Sequence, residues 1–305
     1  QEPRELEIKE IHAIRDKFVA AAIFAEKAGF DGVEIHAAHG YLLSQFLSPY
    51  SYHRNDEYGG SNENRARLVT EIISSIKKYV PRLLVSVRFN MNDFAAGGID
   101  EQMGLIIAGQ LETAGADLLN VSCGIYESGH TTIEPAFFAE AWRIKMAEQV
   151  KKTVRIPVIG GGVIRHPEKA AEILANQQAD LIWVGRGMLA DPAWVGKAVS
   201  GRADQIRHCI SCNTCFDSIS QGLHIRCAVN PRAGREYKLS LERRLEGIKA
   251  VIVGGGPAGI QTSLALSSAG AQVTLLEKEA HLGGQLNIAN KPPYKDKIGW
   301  MLQAL

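Results

Sequence analysis

Ile8-Lys-Glu-Ile11-His-Ala-Ile14-Arg-Asp-Lys-Phe18-Val-Ala-Ala21-Ala22-Ile-Phe-Ala25-Glu-Lys-Ala-Gly29-Phe-Asp-Gly32-Val-Glu-Ile-His36 decides the fold class. Ile8, Ile11, Ile14, Phe18, Ala21, Ala22 and Ala25 recur at helical spacing, and Gly29 supplies the left-handed stop. A β-branched run, 32–36, follows at once. Strand-like runs recur at 83–89, 117–122, 156–160 and 180–185, each after a helix-like segment that ends near Gly or Pro. Repetition of this unit predicts a parallel sheet with crossover helices. A closed (β/α)8 barrel needs eight strands over ~250 residues, so five units leave three, roughly 120 residues, unaccounted for. The expectation is a barrel portion truncated in the recorded sequence, since an open five-strand sheet would expose two parallel edges.

Past these units stands Cys209-Ile-Ser-Cys212-Asn-Thr-Cys215, with Cys227 after eleven intervening residues, so that four of the five cysteines fall within nineteen positions. A 4Fe-4S cluster needs four thiolates at the corners of a cube, and Cys-x2-Cys-x2-Cys lets one tight loop reach three of them. Structural zinc would more naturally show two Cys-x2-Cys pairs, and disulfides are the other competing reading. Cys123, in an apolar run, reads as a small buried strand residue.

A second sheet begins after Lys249. Ala250-Val-Ile-Val253 is a strand, Gly254-Gly-Gly256-Pro-Ala-Gly259 a phosphate-binding turn, 260–269 a helix, and Gln272-Val-Thr-Leu-Leu276 a second strand closed by Glu277. Gly254 permits the tight turn, Gly256 lets the backbone approach a pyrophosphate, and Gly259 allows close helix–strand packing. Glu277 can accept from ribose hydroxyls, which favours FAD, NAD or ADP over a 2′-phosphorylated nucleotide.

The candidate chemistry lies at strand ends, where barrel active sites are built. His36-Ala-Ala-His39-Gly-Tyr41 places two imidazoles and a phenol there. Neutral imidazoles can hold a carbonyl or carboxylate oxygen, and a phenol can deliver a proton to an adjacent carbon. Metal ligation and simple packing are the alternatives. Arg88 ends the second strand, where a cation meets a ligand anion, an electron-rich ring or a salt-bridge partner. Gly160-Gly-Gly162 and Gly185-Arg186-Gly187 end the last two strands as glycine-rich loops of the kind that bind phosphate through backbone amides, with Arg186 adding charge.

With 305 residues, 46% hydrophobic, 22% charged and a net charge of +1, the composition is that of an ordinary globular chain long enough for two domains. It offers no basic patch for nucleic acid. No apolar run approaches the ~20 residues of a membrane span, and Gln1-Glu-Pro-Arg-Glu lacks a secretory pattern. A reducing cytoplasm is expected, as thiolate clusters require.

His36-Ala-Ala-His39-Gly-Tyr-Leu-Leu-Ser-Gln-Phe-Leu-Ser-Pro49, then Arg54-Asn-Asp-Glu-Tyr-Gly-Gly-Ser61 and Glu63-Asn-Arg65, resembles the old yellow enzyme family. With the cysteines and the nucleotide turn, the chain is similar to its iron–sulfur flavoprotein branch, which holds 2,4-dienoyl-CoA reductase, 2-enoate reductase and trimethylamine dehydrogenase. The resemblance implies the C-terminal five β/α units of a TIM barrel binding FMN over 1–207, a 4Fe-4S segment over 208–247, and the start of a Rossmann-like FAD/NAD(P)-binding domain over 248–305. It places Arg88 near the flavin ring and the flavin phosphate at Gly161, Gly162, Gly185 and Arg186. His36 and His39 would bind the substrate oxygen, Tyr41 would donate the proton, and Tyr126 would face the substrate from the other side. Cys209, Cys212, Cys215 and Cys227 would carry the cluster, and Gly254, Gly256, Gly259 and Glu277 the second flavin.

The implied reaction is reduction of an activated C=C bond in a small unsaturated carbonyl compound by NAD(P)H. Amine dehydrogenation and a non-catalytic cofactor-binding remnant are the alternatives, and a homo-oligomer is compatible with any of them. The cysteine spacing departs from both branches: the reductases usually carry one more residue between the second and third cysteines, and trimethylamine dehydrogenase one more before the fourth. Tyr52 stands where relatives often have Asn.

Overall fold

The computed structural model describes residues 4–51, 53–239 and 244–303, so Tyr52 lies outside the described residues. Five strands pair in parallel and in chain order: β1 (Gly32–Ala37), β2 (Leu84–Asn90), β3 (Leu118–Ser122), β4 (Val158–Gly161) and β5 (Leu181–Trp183). Helix α1 (Ile8–Lys27) precedes β1, and α2 (Leu42–Leu47) and α3 (Asn62–Tyr79) lead to β2. Next, α4 (Glu101–Thr113) leads to β3, α5 (Gly129–Thr132) and α6 (Ile144–Thr153) to β4, and α7 (Pro167–Ala175) to β5. This is the α/β architecture of consecutive (β/α)8-barrel units. Helix α1 packs on α3, α3 on α4 and α4 on α6, forming the outer layer.

The predicted strands stand within two residues of those observed, with physical reasons for the differences, and the helix predicted over 260–269 opens three residues earlier, at Pro257. Strand β4 opens at Val158 because Pro157 has no N–H to give; its carbonyl still accepts from Leu119 N at 3.0 Å. Strand β5 ends at Trp183 because Gly185 already caps α8 (Arg186–Ala190). In α1, Ile11, Val19 and Ala22 are the buried residues whereas Ala21 is exposed, so the buried stripe is rotated slightly from the one read off the spacing. Gly29 does adopt a left-handed φ of +84°.

Alternation along the strands sorts the side chains. Val33, Ile35, Val85, Val87, Phe89, Leu119 and Val121 point to the helix layer, where the described core lies. The opposite face carries Glu34, His36, Ser86, Arg88, Asn90, Asn120 and Ser122. Register sets His36 beside Arg88 and Arg88 beside Asn120. Glu34 accepts from Ser86 Oγ and Asn120 Nδ2, both at 2.9 Å, so this polar face is hydrogen-bonded across three strands.

The stretch 54–65 is built for folding. Arg54 pairs with Asp56, Asn64 Nδ2 donates to Gly59 O at 2.9 Å, and Ser61 caps α3 by accepting from Asn64 N at 3.2 Å. Only glycine fits at Gly59, where a Cβ would stand 2.1 Å from Arg54 O.

By compactness the chain forms two units. The first is Gln1–Ile133, Glu140–Gly162 and Glu168–Trp183; the second is Glu134–Ala139, Val163–Pro167 and Val184–Leu305. Within the second, α8 is followed by α9 (Trp194–Val199) and α10 (Thr214–Ser220), then by the parallel pair β6 (Lys249–Val253) and β7 (Gln272–Leu276) joined through α11 (Pro257–Ser268). Asp191 holds the start of the cysteine segment, accepting from Arg207 N at 3.0 Å and Lys197 Nζ at 2.7 Å. No described helix is long and apolar enough to cross a membrane.

Two glycines of α4 separate packing from propensity. A Cβ on Gly104 would meet Met91 O at 2.4 Å and its sulfur at 2.7 Å, whereas one on Gly109 meets nothing within 4 Å. Urea denaturation is expected to show Gly104→Ala destabilised by about 1–3 kcal/mol through overpacking. Gly109→Ala is expected to gain up to about 1 kcal/mol of helix propensity.

Candidate functional site

The end of β1 and the residues after it bring the predicted donor set together. The His36 ring lies 5.2 Å from that of His39 and 5.3 Å from that of Tyr41, and Tyr41 meets Tyr126 edge to face at 5.8 Å. His39 adopts a left-handed φ of +64°, which turns its N–H to Asn90 Oδ1 at 3.2 Å. Gly40 keeps the Tyr126 ring close: a Cβ there would stand 3.3 Å from it.

Burial, then the Arg88 cation, His36 and Arg143, push the His39 imidazole down to about 3. The same first two causes lower His36. Both rings are therefore neutral hydrogen-bonding groups at ordinary pH. His39 Nε2 lies 2.7 Å from Ser122 Oγ, which accepts from Arg143 Nη1 at 3.3 Å. With the guanidinium donating to Ser122 oxygen, the serine hydroxyl is placed to donate to Nε2, which favours the tautomer carrying its proton on Nδ1. A hydrogen bond with Tyr41 raises the Tyr126 phenol above its ordinary value.

Beneath this group lies a buried hub that the sequence reading did not single out. Asn90 Nδ2 donates to Asp93 Oδ1 at 2.8 Å and to Gly124 O at 2.9 Å. Asp93 Oδ2 accepts from Ser48 Oγ at 2.6 Å and from Ile99 N at 2.9 Å, and the Asp93 carbonyl accepts from Ser128 Oγ. The loops after β1, β2 and β3 are thus tied to one another. An Asn-x-x-Asp pair at a strand end was the available signal.

Trp183, placed earlier only in a strand, is part of the inner face. The Arg88 guanidinium lies 4.7 Å above its ring and that of Arg143 at 6.0 Å. A Cβ on Gly161 would stand 2.4 Å from the indole, and one on Gly162, whose φ is +101°, 2.8 Å from Arg143 Cδ. The Trp183 Nε1–H is buried and has no hydrogen-bond partner among the described residues. Cations and an orphaned donor at the strand ends fit an electron-rich, anion-forming ring such as a flavin. Gly185 caps α8 in the second unit. Arg186 there donates to the Glu134 carboxylate at 2.8 Å, to the Glu134 carbonyl at 2.7 Å and to Asn213 Oδ1. Arg186 also lines the cysteine pocket.

Cys209, Cys212, Cys215 and Cys227 line one pocket with Arg186, Leu189, Ile210, Asn213 and Val229. Ser211 N donates to Cys209 Sγ at 3.4 Å, Cys212 Sγ lies 3.3 Å from Thr214 Oγ1, and backbone amides of Phe216, Val229 and Asn230 point at the sulfurs of Cys215 and Cys227. Ser211 and Asn213 have left-handed φ values of +53° and +58° on either side of Cys212, a conformation that turns amides into a concavity. Among the described residues, no three His, Cys, Asp or Glu side chains converge to hold a single ion. Four thiols around one pocket, three of them facing backbone amides and Cys212 facing Thr214 Oγ1, without a common centre, fit a cubane, whose irons stand at separate corners, better than a lone tetrahedral zinc. Burial pushes the Cys215 and Cys227 thiols up, so iron would have to displace their protons. Cys123 is fully buried, with its sulfur 3.8 Å from Thr131 O.

The three glycines of the nucleotide turn occupy three different situations. Gly254 has φ +103°, Gly256 caps α11 with nothing within 4 Å of a Cβ, and a Cβ on Gly259 would stand 1.8 Å from Gly254 O. Open space at Gly256, above a helix N-terminus, is the cradle that a pyrophosphate needs. Glu277 Oε2 accepts from Gly255 N at 2.6 Å and Oε1 from Glu279 N at 3.0 Å, and these amides hold its carboxyl below the ordinary range. The carboxylate is thereby fixed beside the turn with lone pairs left for hydroxyls.

Residues 1–205 match the NADH:flavin oxidoreductase / NADH oxidase family, and residues 250–297 match FAD dependent oxidoreductases. An NADH oxidase of Thermoanaerobacter brockii is 50% identical over 303 residues, which are 98% of this chain and 46% of that protein. The solved complex of 2-naphthoyl-CoA reductase with 2-naphthoyl-CoA superposes with a TM-score of 0.95 at 30% identity, covering 99% of this chain and 46% of that one. Histamine dehydrogenase from Rhizobium sp. 4-9 superposes with a TM-score of 0.89 at 29% identity, covering 99% and 45%. The chain spans about half the length of each.

The depressed His39 value has a definite consequence for stability. Folded His39 resists protonation down to about 3, whereas the unfolded chain takes up the proton near the ordinary 6.5. Its contribution is therefore complete above about pH 6.5 and is lost progressively as the pH falls from there towards about 3. Urea denaturation at a series of pH values is expected to show this decline, and His39→Asn, which suits a left-handed φ, is expected to flatten it.

Proposed function

The chain belongs to the NADH:flavin oxidoreductase / NADH oxidase family, and on that footing we propose that it carries the catalytic core of an ene-reductase acting on an enoate or enoyl thioester. The observation that carries this reading is the pair of neutral imidazoles, His36 and His39, standing beside the Tyr41 phenol at the end of β1. Bound FMN would supply hydride to the β-carbon, with its electrons drawn from NAD(P)H through FAD and a 4Fe-4S cluster. Arg88, Arg143, Trp183 and the Gly161–Gly162 backbone would hold the FMN. Cys209, Cys212, Cys215 and Cys227 would hold the cluster, and Gly254, Gly256, Gly259 and Glu277 the FAD.

The chain's own residues account for the rest of the chemistry. His36 and His39 donate to the substrate's carbonyl oxygen, on which negative charge grows as hydride arrives at the β-carbon. Neutral donors suit this task because they gain most when the charge develops. Tyr41 O–H delivers the proton to the α-carbon, and its hydrogen bond with Tyr126 spreads the charge left on the phenolic oxygen. The Asn90–Asp93 hub keeps the three loops from drifting while this happens.

Amine oxidation is the second reading. The superposition of histamine dehydrogenase and the edge-to-face Tyr41–Tyr126 pair, a fragment of an aromatic wall, both favour it. Arg88 and Arg143 weigh against it, since both cations act on the His39 imidazole and would repel a cationic substrate.

The deciding experiment is anaerobic. The flavin of the holoenzyme is reduced, an α,β-unsaturated acid or thioester is added, and reoxidation is followed in the visible band. Rapid reoxidation is expected. No reoxidation with any enoate, together with reduction of the oxidised enzyme by amines, would assign the chain to amine dehydrogenation. Tyr41→Phe is expected to slow the enoate step by about 10²–10⁴-fold while leaving flavin reduction by NAD(P)H unchanged.

A further inference from the structure

Arg165 lies in the segment 163–167, between β4 and α7, and only 3% of it reaches solvent. Its side chain and its main chain grip the cysteine segment separately. Nε donates to Cys209 O at 3.2 Å, and Nη2 donates to Ser211 Oγ at 2.8 Å. The Arg165 carbonyl can only accept, so His208 Nδ1 donates to it at 2.9 Å, as does Trp194 Nε1, also at 2.9 Å. Ser211 is itself buried and left-handed, and its N–H is the one that donates to Cys209 Sγ at 3.4 Å.

We infer that Arg165 is a positioning residue for the iron–sulfur cluster and raises its reduction potential. The inference rests on the cluster assignment made above, and two effects act in the same direction. Reduction adds an electron to a group that is already anionic, and a buried guanidinium nearby stabilises the extra charge in a medium of low dielectric constant. In addition, the fork of Arg165 fixes Ser211 and the Cys209 carbonyl together, which holds the Ser211 amide on the sulfur and draws electron density from it. Lysine keeps the charge, but its point ammonium cannot reproduce the two-armed grip on Cys209 O and Ser211 Oγ.

The test compares the wild-type holoenzyme with Arg165→Met, Arg165→Lys and Ser211→Ala, measuring iron and acid-labile sulfide and then titrating the cluster anaerobically under EPR. Four irons and four sulfides per wild-type chain establish the cluster reading; zinc in their place would overturn that reading, and the inference with it. With the cluster present, Arg165→Met is expected to shift the midpoint potential negative by enough to change its one-electron equilibrium about tenfold, which is about 59 mV. Arg165→Lys and Ser211→Ala are expected to shift it in the same direction by less, because each removes only one of the two effects. If Arg165→Met fails to retain the cluster, the other two variants decide. Potentials equal to wild type in variants that keep their iron would overturn the inference while leaving the cluster assignment standing.

Discussion

Each strand of a parallel sheet has two faces, and in β1, β2 and β3 one of them is given to hydrocarbon while the other is polar beyond Leu84 and Leu118 at the strand starts. Crossover helices bury Val85, Val87, Phe89, Leu119 and Val121 on the outer side, so the side chains between them must point the other way. There the chain places Glu34, His36, Ser86, Arg88, Asn90, Asn120 and Ser122. Polar groups held against a sheet are costly unless they bond to one another, and they do so, with Glu34 bridging Ser86 and Asn120. The apolar side secures the fold and the polar side supplies the chemistry; both follow from a period of two.

Precision at the strand ends comes from groups that do no chemistry themselves. The buried Asp93 and Asn90 gather Ser48, Ile99, Gly124 and the His39 amide into one network. A carboxylate that accepts several short hydrogen bonds in a dry setting holds its partners more tightly than surface contacts can. In the second unit, Asp191 and Arg165 serve the cysteine segment in a comparable way, one at its start through Arg207 and the other at the loop itself. Burial works against the charge of Asp191, yet hydrogen bonds from Lys197 and from the Arg207 and Ala193 amides hold its carboxyl below the ordinary range.

Arg186 shows how a residue in a legible local motif can have partners that the motif does not announce. Its place in a glycine-rich loop suggested phosphate. The guanidinium reaches Glu134, almost fully buried at 3% exposure, and Asn213 in the cysteine loop. Glu134 is far from Arg186 in sequence and carries no motif, so nothing local could have announced that partner.

Strand positions, the glycine stops, the nucleotide turn and the cysteine spacing were legible in the sequence because each depends on neighbours a few residues away: a period of two or 3.6, a left-handed φ, a Cβ that will not fit. The His36, His39 and Tyr41 set was legible for the same reason, as one strand end carries all three. Only the tertiary structure decided that His39 stays neutral, since this depends on burial and on Arg88 and Arg143, which come from other strands and loops. It alone paired Trp183 with Arg88, Asn90 with the His39 amide, and Arg165 with Ser211. Those contacts join residues about 45 to 95 positions apart, and electrostatics and hydrogen bonding act through space, where the order of the chain carries no information.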